Sequence, residues 1–120
     1  MNKKSKVISF CLLFMVTSPQ VFSAAKQTNN LVIQKIRAVG NYNEGTTYDN
    51  SIELWFSSGV GISGTNCTVG YRVYVDAKYT HIISAAYMAF ASGKKVNIQV
   101  DDLLPIRNGS CEISYLDVLK

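Results

Sequence analysis

Few residues in this chain have the types that do covalent or acid–base chemistry. His81 is the sole histidine of the 120 residues, and it falls where the first turn of a helix is expected. No serine or cysteine stands beside it in a nucleophile motif, so it reads as a surface or packing residue rather than a base. Glu53, Glu112, Asp101 and Asp102 are carboxylates of strands and turns, and no pattern pairs them at glycosidase spacing. A metal site needs a cluster of histidine, cysteine or carboxylate ligands, which the sequence lacks. No catalytic residue, metal ligand or cofactor site is therefore expected, and the chain does not read as an enzyme. Binding chemistry is better represented. Trp55 shares a strand face with Glu53, and Tyr74 shares one with Arg72. An outward aromatic ring beside charged groups suits sugars, because the ring stacks on C–H faces while its neighbours bond hydroxyls. Tyr42 and Tyr48, in a long loop, complete the candidate ligand-binding set of Trp55, Tyr74, Arg72, Tyr42 and Tyr48. The competing reading of Trp55 is packing against a neighbouring subunit or over a barrel edge.

The elements that must position these side chains are mostly strands. Gln27 to Asn30 is a polar lead-in, and the β-branched run Leu31 to Val39 predicts strand one. Gly40 to Asn50 is a loop rich in glycine, asparagine and aspartate. Ser51 to Phe56 alternates, with Ile52, Leu54 and Phe56 on one face and Glu53 and Trp55 on the other. A glycine- and serine-rich loop, Ser57 to Asn66, precedes strand three at Thr68 to Asp76, where Tyr71, Val73 and Val75 oppose Arg72 and Tyr74. Ile82, Ile83, Ala86, Tyr87 and Phe90 then recur at helical spacing. Asp76 or Thr80 is expected to cap that helix, and Gly93 to end it in the left-handed conformation. Val96, Ile98 and Val100 alternate as strand four, and Ser110 to Leu119 is strand five. No repeat or domain boundary interrupts residues 26–120, which read as one domain. The order β-β-β-α-β-β matches the OB-fold, a five-stranded Greek-key barrel with one helix. An open α+β sheet is the alternative.

Residues 1–25 read as a signal peptide. Lys3, Lys4 and Lys6 precede the apolar run Val7 to Val16, which is short for a membrane span, and Ser23-Ala24-Ala25 offers cleavage after Ala25 or Ser23. A secreted or periplasmic protein with no membrane span after cleavage is expected. The formal charge of +4 includes those three lysines, so the remaining chain is close to neutral, which argues against nucleic-acid binding. Cys11 leaves with the signal. Cys67 and Cys111 remain, and in an exported chain an even pair reads most simply as one disulfide.

Together these residues resemble a family of small exported bacterial proteins related to the B subunits of subtilase-type and pertussis-like AB5 toxins. The likeness rests on Leu31-Val32-Ile33-Gln34-Lys35-Ile36, the helix Tyr79 to Ala91, the following Ser92-Gly93-Lys94-Lys95-Val96-Asn97-Ile98, and Cys111-Glu112-Ile113. It implies an OB-fold, a homo-oligomer of five subunits, glycan binding on the barrel side or loops, and a catalytic A chain as partner. Asn29 and Asn30 stand where such subunits carry a serine that contacts sialic acid, so that specificity does not carry over. The alternative function is a small periplasmic structural or protein-interaction module, with Trp55 in its interface.

Overall fold

The computed structural model describes residues 24–41 and 49–120. Tyr42, Tyr48 and most of the expected signal peptide lie outside the described residues. The order of elements is β1 (Ala25–Leu31), β2 (Ile33–Val39), β3 (Ser51–Phe56), β4 (Arg72–Asp76), α1 (Thr80–Ser92), β5 (Val96–Asp101) and β6 (Ile113–Val118). The strands form two antiparallel three-stranded sheets, β1-β5-β6 and β2-β3-β4. The protein is thus mainly β with one helix, as the sequence indicates.

Six strands replace the five expected, and two sheets stand in place of one closed barrel. The polar lead-in is itself a strand. Lys26, Gln27 and Thr28 pair with Val100, Gln99 and Ile98 of β5. All of β1 except Thr28 and Leu31 is exposed, so backbone pairing alone holds it and no apolar alternation betrays it. At Val32 the chain changes partner, from β5 to β3. Between β4 and β6 the join is one parallel bridge, Tyr74 to Glu112, with the Tyr74 N–H donating to the Cys111 carbonyl at 3.1 Å.

One core lies between the sheets and the helix. Leu54, Val73, Val75, Val96, Ile98 and Val100 are fully buried in it, with Ile82, Ala86 and Ala89 of α1. The alanines let the helix backbone approach the strands, so its buried stripe centres on Ala86 and Ala89. Tyr87 and Phe90, expected on that stripe, are instead exposed. Neither expected N-cap acts as one: the helix begins after Tyr79 without a side-chain cap, and the Asp76 carboxylate is taken up by the Lys78 N–H and Arg107. Gly93 does end the helix, at φ 67°, where a β-carbon is disfavoured.

Cys67 and Cys111 are joined as a disulfide, with Cα atoms 5.6 Å apart. The bond fastens the loop before β4 to the segment before β6. Beside it, the Gly109 carbonyl accepts from the Thr68 and Val69 N–H groups, and Gly109 adopts φ 77°. These ties press the chain from Pro105 to Cys111 against the outer face of β4.

Candidate ligand-binding face

The outer face of β2-β3-β4 is built in cross-strand rows. Lys35, Trp55 and Arg72 form one row, Arg37, Glu53 and Tyr74 the next, and Val39, Ser51 and Asp76 the third. A register shift between Ile33 and Lys35 sets this pattern. It inserts one extra residue, so that Ile33 and Ile36 turn to the core while Lys35 and Arg37 turn outward beside Trp55.

The segment 105–111 covers the β4 half of this face. Tyr74, expected to point outward as a ligand contact, is only 1% exposed. Its hydroxyl donates to the Pro105 carbonyl and lies 3.1 Å from a Glu112 carboxylate oxygen, and Arg107 sits 4.8 Å from its ring centroid. Glu112 also accepts from the Asp76 N–H at 3.3 Å, while Arg107 pairs with the Asp76 carboxylate. Tyr74 belongs to a buried polar network, and its correction follows from the loop that closes over β4.

The β2-β3 half stays open, and there the structure brings Trp55 and Arg72 together. Lys35 Nζ lies 3.9 Å from the indole centroid, and the Arg37 and Arg72 guanidinium carbons lie at 4.9 and 5.7 Å. Three cations thus gather on one ring, a favourable arrangement for an aromatic quadrupole. Among the described residues they face a single carboxylate. Glu53 is buried, with its oxygens 3.6 Å from Arg37 and 3.8 Å from Arg72. The oxygen nearer Arg37 has no hydrogen-bond donor. Arg72 is anchored, donating to the Ser110 hydroxyl at 2.8 Å and the Asn108 carbonyl at 3.3 Å. Arg37 is more open, with its side chain 56% exposed.

Lys35 and Arg37 were not legible as site residues. Period-two spacing places them on one face of a strand, but the loop before β3 hides which residues they oppose. Tyr71, also exposed, lies beside Arg72 at the edge of the same face. His81 is exposed and meets the Tyr79 ring edge-on. Among the described residues, no group of three His, Cys, Asp or Glu side chains gathers at metal-binding spacing.

Two titrations carry consequences for stability. Burial, then the nearby Glu112 charge, pushes the Tyr74 hydroxyl well above its ordinary value of 10. Above pH 10 an unfolded tyrosine gives up its proton while folded Tyr74 keeps it. The folded state then binds more protons, and its stability falls with rising pH by up to about 1.4 kcal/mol per unit. Urea unfolding across the alkaline range should show this decline in the wild type and a flatter profile in Tyr74→Phe. On the acid side, the Lys78 N–H and then Arg107 hold the Asp76 carboxyl below its ordinary value, against partial burial. Stability from that group is present above pH 3.8 and is lost as pH falls through the folded value.

No family model matches this chain, and no curated protein matches it.

Proposed function

We propose that this protein is an exported, non-catalytic binding protein of the toxin B-subunit type, which holds a carbohydrate bearing an acidic group on the Trp55 face. The observation that carries this reading is the partly buried indole ringed by Lys35, Arg37 and Arg72 against one carboxylate among the described residues. Trp55 supplies the flat apolar surface for a sugar ring, and the surplus of cations favours a carboxylate, sulfate or phosphate on that sugar. A sugar hydroxyl that displaces the exposed Arg37 reaches the undonated Glu53 oxygen. Anchored Arg72 gives the site a fixed charge. The disulfide is in keeping with a secreted or periplasmic location.

An OB-type arrangement of these strands belongs to the same proposal. Its support is the near-continuous β1-β2 chain that serves both sheets, together with the β4 to β6 bridge. Assembly into a ring, and a catalytic partner chain, rest on the resemblance alone.

A glycan array carrying neutral and acidic sugars tests the function directly. The purified protein should retain acidic glycans, and Trp55→Ala should weaken that retention at least about tenfold, as expected for a central aromatic anchor. Absence of binding to every glycan, or a Trp55→Ala protein that binds as well as the wild type, would reject it. In the first case a protein-interaction module becomes the better account.

A further inference from the structure

We propose that the outer face of α1, with the lysine-lined cleft at its C-terminal end, docks on an anionic phospholipid surface. The site lies apart from Trp55 and does not depend on the carbohydrate reading.

The helix is unusual in what its solvent side lacks. Thr80–Ser92 contains no charged residue, and no acid occurs between Asp76 and Asp101. Ile82, Ala86 and Ala89 face the core; Tyr87, Thr80, Ala91 and Ser84 lie opposite them, with Phe90 on one flank and Met88 and His81 on the other. Tyr87, Met88 and Phe90 are 42%, 58% and 45% exposed. A solvent-facing helix ordinarily carries its charges on the side away from the core. This one carries Tyr87 there, bordered by Phe90 and Met88, and keeps its cations at the ends, with Lys78 before the first turn and Lys94 and Lys95 after the last.

The C-terminal end adds a second, independent feature. Gly93, Lys94, Lys95, Asn30, Leu119 and Lys120 line an open cleft of about 370 Å³. Three lysines meet there, and no acidic side chain lines it. The left-handed turn at Gly93 directs the chain out of the helix into this cleft. Asn30 is held at φ 56°, its N–H donating to the Asn97 side chain at 3.0 Å. The exposed acid on β6, Asp117, alternates with core-packed Leu116 and Val118, so it points away from the side on which the helix packs.

Exposed apolar side chains across the solvent side and lysines at both ends supply the two attractions that hold an interfacial helix, buried apolar area and electrostatic attraction to anionic lipid. Tyr87, Met88 and Phe90 would enter the headgroup–acyl boundary while the lysine cleft receives a lipid phosphate. Charge complementarity decides for lipid over a second copy of this chain, since a copy paired through the same helix brings no acid to meet the lysines.

Co-sedimentation of the purified protein with vesicles tests this. It should sediment with equal parts phosphatidylglycerol and phosphatidylcholine, remain in solution with phosphatidylcholine alone, and be released by high salt. Lys94→Glu with Lys95→Glu should lower the bound fraction at least about tenfold, from roughly 1 kcal/mol per basic residue near the surface. Met88→Ser with Phe90→Ser should also lose binding. Both pairs are exposed, and circular dichroism checks that each variant folds; the lysine pair suffices if the other does not. Trp55→Ala should bind vesicles as the wild type does, whatever the glycan result. Equal binding to both vesicle types, binding to neither, or unchanged binding by the lysine variant overturns the proposal. So does a sedimentation-velocity oligomer that Met88→Ser with Phe90→Ser dissolves, because a second copy would then cover the face.

Discussion

Replacing both Cys67 and Cys111 by serine should lower the unfolding free energy by about 4 kcal/mol, the chain-entropy value for a loop of this length. The two residues are 44 apart in sequence. The bond also holds the segment that covers β4, so more than loop entropy is at stake. Cys111 is fully buried, and its carbonyl accepts the Tyr74 N–H in the one bridge between β4 and β6. Gly109 and Ser110, which anchor Val69 and Arg72, lie within two residues of it. Urea unfolding of the double variant, and of the wild type with reductant, should give the same lowered midpoint. A loss under about 1 kcal/mol would mean that the loop contacts hold the segment unaided.

Tyr74→Ala should be comparably damaging, at about 3–5 kcal/mol, the range for truncating a buried aromatic ring. Tyr74→Phe should cost less, about 1–3 kcal/mol, because it keeps the ring and removes only the donor to the Pro105 carbonyl. The pair of variants separates packing from hydrogen bonding at one position. It also separates structure from recognition. Tyr74→Phe should leave glycan binding unchanged at temperatures where the protein remains folded, since the residue is covered by Pro105 and Arg107. A Tyr74→Phe variant of full stability that loses binding would return Tyr74 to the ligand site.

How much of this was legible in the sequence depended on whether side-chain burial carried the signal. The alternation of Val96, Ile98 and Val100 marks β5 correctly, because one face of that strand meets the core. The alanine-spaced helix and its Gly93 terminus are equally plain. β1 left no such mark, since its residues are polar and its hold on β5 is through the backbone. Tyr74 misled for a different reason. Alternation placed it on the outer face of its strand, where it is, but a loop thirty residues further on buries that face. Glu53 was read as an outward acid in the same way and proves buried between two arginines. The candidate site was half visible. Trp55 and Arg72, both candidates from the sequence, lie side by side across β3 and β4, whereas Lys35 and Arg37 join them through a register shift that no single-strand pattern reveals.

Trp55 is the sole tryptophan of the chain, so intrinsic fluorescence reports on this site alone. Titrating the protein with an acidic oligosaccharide retained on the array should change the emission saturably, and high salt should weaken the response by screening Lys35 and Arg37. A saccharide that binds by calorimetry yet leaves the Trp55 emission untouched would place recognition elsewhere and contradict the account.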